Sequence, residues 1–274
     1  MSRVSTNSTL VICNHVPTAQ AVYRKLSKRV KDTRLLHSRF TRKDRNDKEQ
    51  ELSKLPKILV ATQVVEVSLN LDFEQCFTEP AAIDALVQRF GRVNRYAVRK
   101  PAPVRIFSGQ YSKDNRTYSK ELRDKSLQVL DSLQMPLSEE SLSEAANMVY
   151  GNGYSGDDLT DYQDGLDYKP LKQWEKYMIA GQSKDWIEQV IDEKEGSIEL
   201  LHEQFIDKYK DLKEQGLTIE ANNLLIPVGK WALSNLEIDD KRNPWALLGS
   251  NCRYTKEIGL EIGSNTGYNS YVAV

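Results

Sequence analysis

The residues with the clearest potential for chemistry form an arginine cluster in the first half of the chain. The segment from Gln88 to Arg95 reads QRFGRVNR and places Arg89, Arg92 and Arg95 at intervals of three. If the segment is helical, this spacing brings all three arginines close to one face. A guanidinium is planar, always charged and able to fork onto phosphate oxygens, so the cluster suits the charge on a transferring γ-phosphoryl group. The alternative is a solvated basic helix face.

A second segment with polar side chains lies upstream of the cluster. A short apolar run predicts a buried parallel strand at Ile58–Thr62, and polar residues follow between Gln63 and Asp72. In an α/β sheet, the residues that follow a strand line the cleft at its carboxyl end. The segment is therefore a candidate for ligand contacts beside the arginines.

Four segments, in order along the chain, resemble a known family. Val60–Leu69 and Gln88–Arg95 are similar to motifs V and VI of superfamily 2 helicases, in wording closest to the CRISPR-associated helicase–nuclease of type I systems. Leu10–Asn14 resembles the first strand and motif IV of that family's second RecA-like lobe, and Leu35–Thr41 resembles its next strand and loop. Two later stretches resemble pieces of the family's C-terminal domain more weakly: Asn223–Val228 and Arg253–Leu260.

The resemblance implies a role for individual residues of this sequence. Arg92 and Arg95 would be arginine fingers on the γ-phosphate of ATP, and Gln88 would lie near the same phosphate. The other implied residues are, for the nucleotide, Arg89, Gly91, Asn70 and Asp72; for DNA, Thr62, Asn14, Ser38 and Arg39; and for coupling between the two ligands, Gln63, Glu66 and Ser68.

Several of these assignments have a structural alternative. Arg89 would either tie its motif to the adjacent strand motif or reach the nucleotide cleft. Glu66 would either couple the two ligands or form a buried ion pair with an arginine of the last motif. Asn70 lies where related helicases often carry an aspartate that reaches the ribose, and Asp72 would be its substitute. His37 would be either a structural histidine or a ligand contact.

Two motifs that helicase chemistry requires are absent from the sequence. No phosphate-cradling loop of the type G-x-x-x-x-G-K-[ST] occurs, and no acidic box for Mg²⁺ is present. None of the three histidines precedes an aspartate, so the family's His-Asp nuclease motif is missing as well. We expect ATP as the cofactor, with Mg²⁺ held by a first helicase lobe and no metal site in this chain. The chain alone should neither hydrolyse ATP nor cut DNA.

Composition is typical of a protein of the cytoplasm. The chain has 274 residues, of which 28% are charged, and it contains no apolar stretch long enough to cross a membrane. No signal peptide is evident at the start. The three cysteines are far apart, which favours reduced core thiols over a disulfide or zinc framework.

Charge is divided unevenly along the chain. Residues 1–110 contain 20 Lys and Arg against 10 Asp and Glu, a net charge of +10, whereas residues 111–274 contain 18 against 29, a net charge of −11. A basic segment is the electrostatic footprint of a phosphate-containing partner. The acidic segment would bind a basic partner or serve solubility alone.

Strand and helix patterns alternate in the first part of the chain and predict an α/β fold, namely a RecA-like parallel sheet flanked by helices. We expect residues 1–110 to be the second RecA-like lobe and residues 111–274 to be a mostly helical C-terminal domain. A linker is predicted near 108–117 and a polar tail from 263. In the second part we expect helices at Tyr118–Leu133, Ser141–Tyr150, Lys172–Ile191 and Ser197–Gln215, a long loop at Gly151–Pro170 and a strand near Asn223–Val228.

The functional prediction follows from the resemblance. The chain would be the C-terminal half of an ATP-dependent DNA helicase and translocase of type I CRISPR interference. Its partners would be a first RecA-like lobe, single-stranded DNA and the RNA-guided surveillance complex, with no membrane involved. One alternative is a non-enzymatic assembly or regulatory subunit that binds the surveillance complex or the partner lobe. Another is a superfamily 2 helicase that acts on RNA, which the wording of the motifs disfavours.

Overall fold

The computed structural model describes nine stretches of the chain, which divide into two compact units. The described residues are 8–66, 70–96, 99–107, 117–166, 197–230, 233, 236–239, 244–248 and 251–263. The first unit comprises residues 1–80, 84–113 and 198–274, and the second comprises residues 81–83 and 114–197. The first unit thus joins residues from both sides of position 110. The predicted domain boundary at that position stays a prediction.

A five-stranded parallel sheet forms the centre of the first unit. Its strands, in the order β2-β3-β1-β4-β5, are β1 (Thr9–Ile12), β2 (Thr33–Leu36), β3 (Ile58–Ala61), β4 (Gln75–Thr78) and β5 (Val104–Ile106). All four pairings are parallel, and the central register aligns Val11 with Val60 on one side and with Phe77 on the other. The predicted α/β sheet is confirmed.

Apolar residues cover both faces of this sheet, as expected for parallel strands. Leu10 and Ile12 belong to one buried cluster, while Val11 and Cys13 belong to another. The alternation follows from the two-residue period of a strand, which directs neighbouring side chains to opposite faces. The sheet is therefore fixed in register, because a slip by one residue would exchange its two faces.

Three helices connect the strands: α1 (Val16–Ser27), α2 (Arg42–Glu51) and α3 (Ile83–Phe90). A proline lies in the first turn of α1, where its missing N–H costs nothing. The hydroxyl of Thr41 caps α2 by accepting a hydrogen bond from the backbone N–H of Asp44 at 3.1 Å. The helix α3 ends at Phe90, so Arg92 and Arg95 lie beyond it and do not share a helical face with Arg89. The condition for that shared face, a helix through the whole segment, is therefore not met.

The second unit contains three described helices: α4 (Lys120–Asp131), α5 (Glu139–Tyr150) and α6 (Gly156–Leu166). The helix α6 lies within Gly151–Pro170, which the sequence predicted as a long loop, so that prediction was wrong for these residues. Its glycines weaken the helical pattern, but two aspartates in its first turn favour the helix dipole. The helix α5 begins earlier than predicted, because Ser138 and Ser141 cap each other. The predicted helix Lys172–Ile191 lies outside the described residues.

The remaining described segment, from residue 197 onward, combines strands and short helices. Its elements are β6 (Ser197–His202), α7 (Ile206–Glu214), α8 (Thr218–Asn222), β7 (Ile226–Gly229), β8 (Ile238–Asp239), β9 (Ala246–Leu247), β10 (Cys252–Thr255) and β11 (Gly259–Ile262). The strands β7-β6-β9-β8 form a sheet, and β10 and β11 form an antiparallel hairpin.

The helix predicted for Ser197–Gln215 therefore needs correction in its first part. Residues Ser197–His202 are a strand, and only Ile206–Glu214 forms an α-helix. Leu201 pairs with Ala246, so the strand conformation is imposed by a partner more than forty positions away. Local pattern cannot detect such a partner. Among the helices that the structure describes, none is long and apolar enough to span a membrane.

Candidate nucleotide and nucleic-acid site

The predicted site residues follow the carboxyl ends of neighbouring strands. Asn14 follows β1, Ser38 follows β2, and Thr62 follows β3 directly. Because these strands are adjacent and parallel, their ends meet at one edge of the sheet. The backbone N–H of Thr62 donates to the carbonyl of Leu36 at 3.2 Å, which continues the pairing of β3 with β2 past the end of the strands. Ligands of open α/β sheets bind at this edge.

Arg89 is fully buried and ties together the elements around this edge. Its Nε donates to Glu66 Oε1 at 2.7 Å, and its Nη1 donates to Thr78 Oγ1 at 2.8 Å and to the carbonyl of Glu79 at 3.1 Å. Its Nη2 donates to Asn14 Oδ1 at 3.0 Å. The geometry favours the first of the two predicted roles, a tie between the last motif and the neighbouring strand ends.

Glu66 forms the ion pair that was one of its two predicted roles. Its side chain is 11% exposed and that of Arg89 is 0% exposed, so the pair is largely shielded from water. Burial raises the pKa of Glu66, and the charge of Arg89 acts in the opposite direction. A buried pair of this kind is strongly destabilised when one partner is removed, because the other charge is then left unpaired.

The arginine segment beyond α3, residues 91–96, forms a loop that pairs with Phe73. Phe73 ends the stretch that follows β3, residues 62–73, which we call the motif V segment. The N–H of Phe73 donates to the carbonyl of Arg92 at 2.9 Å, and the N–H of Asn94 donates to the carbonyl of Phe73 at 3.0 Å. Asn94 has φ of 49°, a left-handed conformation that asparagine tolerates better than most residues. We call residues 91–96 the finger loop.

Arg92 and Arg95 project from this loop in different environments. Arg92 is half-buried, and its Nη2 donates to the carbonyl of Glu66. Arg95 is exposed. Burial lowers the pKa of Arg92, the nearby charge of Arg95 lowers it further, and Glu66 opposes both effects. Two like charges held this close favour an anion beside them.

Asp72 and Asn70 contact the finger loop from the motif V side. Asp72 Oδ1 accepts from the backbone N–H of Arg95 at 2.8 Å and from Arg99 Nη2 at 2.6 Å. Asn70 Oδ1 accepts from the hydroxyl of Tyr96 at 3.0 Å. Sequence reasoning did not identify Arg99, whose only signal was its place four residues past the cluster. The predicted nucleotide contacts of Asp72 and Asn70 stay predictions.

Gln88, near the end of α3, and Gly91, the first residue of the finger loop, are both exposed. A Cβ atom on Gly91 would meet only the carbonyl oxygens of Gln88 at 3.5 Å and of Val87 at 3.6 Å, which are ordinary contact distances. The described part of the chain therefore gives no steric reason for glycine at this position.

Thr62 and Gln63 begin the motif V turn. Thr62 is 4% exposed, and its hydroxyl makes no hydrogen bond to another described residue. Gln63 Nε2 donates to the carbonyl of Asn14 at 3.0 Å and so joins the ends of β3 and β1. Ser68, the third predicted coupling residue, lies outside the described residues.

Asn14 is placed as a structural link. Its Nδ2 donates to the carbonyl of Pro80 at 2.8 Å, and its Oδ1 is occupied by Arg89. Its backbone N–H donates to the carboxylate of Glu79. The side chain is thus committed within the protein, and the predicted DNA contact by Asn14 stays a prediction that this placement does not favour.

His37 begins the loop after β2 and is a structural histidine. Its Nδ1 accepts from the N–H of Arg39 at 3.1 Å, so its Nε2 carries the proton and donates to the carbonyl of Ile258 at 2.9 Å. The ring stacks on Phe40 at 4.3 Å. Burial lowers its pKa to about 3, which keeps the ring neutral at ordinary pH.

Ser38 and Arg39 follow in the same loop. Ser38 is half-buried, and its hydroxyl has no hydrogen-bonding partner among the described residues. Arg39 is only 6% exposed, and its carbonyl accepts from the N–H of Leu260 at 2.8 Å. Sequence reasoning missed the role of the hairpin in holding this loop. The available signal was the weak family resemblance of Arg253–Leu260.

The described residues of this site were also compared with the requirements of a metal centre. In the stretches that the structure describes, no group of three or more His, Cys, Asp or Glu residues is placed to hold a metal ion. Cys13, Cys76 and Cys252 are buried free thiols, and burial raises the pKa of each.

A five-stranded parallel sheet flanked by helices, with candidate ligand residues along its carboxyl edge and the finger loop beside it, is the RecA-like arrangement that the sequence predicts. Comparisons with known proteins agree with the resemblance over the first part of the chain. Residues 5–98 match the family described as CRISPR-associated nuclease/helicase Cas3, C-terminal. The comparisons therefore confirm the resemblance found in the sequence, and they support a C-terminal part of a Cas3 helicase.

Individual relatives agree with this assignment. The CRISPR-associated endonuclease/helicase Cas3 of Escherichia coli K12 is 40% identical over 99 residues, which cover 31% of this chain and 11% of the relative. A putative CRISPR-associated nuclease/helicase Cas3 of Methanocaldococcus jannaschii is 31% identical over 157 residues, or 52% of this chain and 21% of the relative. The chain thus spans between about a tenth and a fifth of the length of these curated relatives.

Solved structures show the same fold over most of the chain. The crystal structure of T. fusca Cas3 with ATP covers 94% of this chain at a TM-score of 0.59 and 18% identity, and 39% of that chain is matched. A chain in the structure titled CRISPR RNA-guided surveillance complex, pre-nicking, matches 94% of this chain at a TM-score of 0.58 and 18% identity, with 41% of that chain covered.

Proposed function

We propose that this chain supplies the arginine-finger half of the ATP site, and part of the single-stranded DNA track, of a helicase acting in type I CRISPR interference. The observation that carries this proposal is the finger loop. Backbone pairing with Phe73 and the carboxylate of Asp72 hold the loop against the motif V segment. The finger loop and the motif V segment, which would contact the two ligands, are thereby held together.

The charge of the finger loop fits a nucleotide triphosphate. Arg95 is exposed, and Arg92 lies close enough to it that its pKa is lowered. A γ-phosphate between two guanidinium groups would relieve their repulsion and would be stabilised as charge builds up during transfer. Gln88 is exposed at the end of the adjacent helix, where it would orient the same phosphate. Gly91 would allow close approach of the opposing lobe.

The residues described here do not fit a role in holding Mg²⁺. Asp72 already accepts hydrogen bonds from Arg95 and Arg99, and Glu66 is paired with Arg89. We therefore assign the phosphate-cradling loop and the carboxylates that hold Mg²⁺ to another helicase lobe. Alone, this chain is not expected to turn over ATP.

We assign the DNA contacts to Thr62 and Ser38, whose hydroxyls make no hydrogen bond to another described residue. Thr62 follows β3 and Ser38 follows the adjacent strand β2, so both lie along one edge of the sheet. Hydroxyl groups at such positions suit hydrogen bonds to phosphate oxygens, which position a nucleic acid without reading its sequence. The side chain of Asn14 is already bonded to Arg89 and Pro80, and the carbonyl of Arg39 accepts from Leu260, so these two residues are better suited to positioning this edge.

Coupling between the two ligands would run through the buried contacts around Arg89. Arg89 links α3 to Glu66 and Asn14, and Gln63 links the motif V turn to the carbonyl of Asn14. The carbonyl of Glu66 in turn accepts from Arg92. A shift at Thr62 would therefore be transmitted to the finger loop through groups in direct contact. A solved relative within an RNA-guided surveillance complex supports that complex as a partner of the assembled protein.

The test of the proposal is to replace the fingers in the helicase assembled with its first lobe. We expect Arg92→Ala and Arg95→Ala each to lower ATP turnover by roughly 10³-fold, as removal of an arginine finger does. Single-stranded DNA binding should change far less. Arg105→Ala is the matched control, because Arg105 is an exposed arginine of β5 on the same lobe. Wild-type turnover in the double variant would overturn the proposal.

A further inference from the structure

The C-terminal hairpin, formed by β10 and β11, contacts the loop that follows β2 along most of that loop. His37 Nε2 donates to the carbonyl of Ile258 at 2.9 Å, and the N–H of Leu260 donates to the carbonyl of Arg39 at 2.8 Å. The N–H of Thr41 donates to the hydroxyl of Tyr254 at 3.1 Å. On both sides of Ser38, groups of the loop are thus bonded to residues more than 200 positions later in the sequence: the side chain of His37 on one side and the backbone of Arg39 and Thr41 on the other.

Gly259 makes the closest approach between the hairpin and the loop. It has φ of 77°, and a Cβ atom there would lie 2.6 Å from the carbonyl oxygen of Arg39 and 2.7 Å from Cε1 of His37. Both distances are shorter than real Cβ atoms tolerate. Only glycine fits, because the backbone is left-handed and the space for a side chain is already occupied.

The hairpin is anchored on its other side by the helix α1. The buried side chain of Gln20 donates through Nε2 to the carbonyls of Ile258 at 3.1 Å and of Leu260 at 3.0 Å. The hydroxyl of Tyr23 donates to Glu257 Oε1 at 2.7 Å. The tip of the hairpin is therefore fixed between α1 and the loop, and it can serve as a rigid support for the loop.

We propose that the hairpin, through the close contact of Gly259, positions Ser38 for contact with a phosphate of single-stranded DNA. The inference rests on the proposed function and deepens it. Ser38 lies between His37 and Arg39, and both of these neighbours are held by the hairpin. Ser38 itself is half-buried, with its hydroxyl available. Gly259 is thus a positioning residue that acts through the loop and does not touch DNA.

The experiment compares two glycine substitutions in the helicase assembled with its first lobe. Gly259→Ala and Gly216→Ala impose the same backbone strain, because the two glycines have φ of 77° and 76°. A Cβ on Gly216 would meet nothing within 4 Å, so only Gly259→Ala displaces the loop. We expect Gly259→Ala alone to raise the DNA concentration for half-maximal ATPase stimulation by about tenfold, which corresponds to about 1.4 kcal/mol. Turnover at saturating DNA should stay the same.

A second variant keeps the test decisive if Gly259→Ala fails to fold. Tyr254→Phe retains the ring and removes the hydroxyl that accepts from Thr41 and donates to Asp44. The backbone N–H of Thr41 should then exchange faster with solvent. DNA affinity should fall by less than it does in Gly259→Ala. The inference is overturned if the amide of Thr41 or Leu260 loses protection while DNA affinity equals that of Gly216→Ala. If the wild-type assembly binds no DNA, the proposed function fails instead, and exchange at these amides still reports whether the hairpin holds the loop.

Discussion

At the scale of single residues, the site contains one buried arginine with a structural role and one exposed arginine. Arg89 is fully buried and bonded to four groups of the protein, whereas Arg95 is exposed. The equal spacing in the sequence gave no hint of this difference. It arises because α3 ends at Phe90, so that the chain leaves the helix between Arg89 and Arg92.

The buried histidine of the loop after β2 makes a pH dependence of stability predictable. Burial lowers the pKa of His37 to about 3, whereas a histidine in the unfolded chain titrates near 6.5. The unfolded state therefore binds more protons below pH about 6.5, and folding stability is lost as the pH falls from there towards 3. Above this window His37 contributes no pH dependence.

The expected size of this effect is about 1.4 kcal/mol of unfolding free energy for each pH unit below about 6. We predict that His37→Gln removes this slope between pH about 6 and 5, measured by urea unfolding at each pH. Glutamine can still donate to the carbonyl of Ile258. His202→Gln is the control, since the pKa of His202 is also lowered but its side chain is less enclosed. An unchanged slope in His37→Gln would show that other groups carry the acid sensitivity.

At the scale of elements, the finger loop and the motif V segment behave as one structure joined by backbone pairing. Asp72 contributes the carboxylate that bonds both Arg95 and Arg99. The resemblance suggested instead that Asp72 reaches the nucleotide ribose. The two roles predict different kinetics, because a ribose contact mainly affects binding of ATP while a loop contact affects placement of the fingers.

We predict that Asp72→Ala lowers kcat for ATP in the assembled helicase by roughly 10²-fold, the cost that misplacement by about 1 Å can carry. Arg99→Ala should lower kcat in the same direction, because Arg99 shares the carboxylate of Asp72. Glu74→Ala is the control, since its carboxylate contacts Ser8 and not the loop. A rise in KM for ATP in Asp72→Ala, with kcat intact and Arg99→Ala normal, would favour the ribose contact.

Elements also show where sequence reasoning succeeds and where it fails. The strands β1 and β3 were predicted because each is a short apolar run, which is a property of the segment itself. The strand Ser197–His202 was predicted as helix, because its conformation depends on pairing with Ala246 and Leu247. The support of Ser38 by Gly259 was invisible for the same reason, since it joins segments at opposite ends of the chain.

At the scale of the whole molecule, the division of charge sets the expected behaviour towards nucleic acid. Residues 1–110 have a net charge of +10 and contain every predicted DNA contact, whereas residues 111–274 have a net charge of −11. The residues that follow β1, β2 and β3 at the carboxyl edge of the sheet also lie within residues 1–110. A field of this kind attracts a phosphate backbone over several ångströms, and salt screens it.

We predict that the full chain binds single-stranded DNA weakly, with an affinity that falls steeply between about 50 and 200 mM salt. For a single strand, the slope of log K against log salt is about −0.7 for each phosphate neutralised, so two or three phosphates neutralised by Lys or Arg would give a slope of about −1.4 to −2.1. Fluorescence anisotropy with a labelled oligonucleotide measures this slope.

The double variant Thr62→Val and Ser38→Ala should weaken binding at every salt concentration while leaving the slope nearly unchanged, because it removes hydroxyls and no charge. The variant Lys43→Ala removes an exposed charge from the first turn of α2, directly after the loop that contains Ser38, and should make the slope shallower. A wild-type chain that binds no DNA at low salt, with or without the first lobe, but that captures a protein of the surveillance complex, would decide against the translocase and for the non-enzymatic subunit.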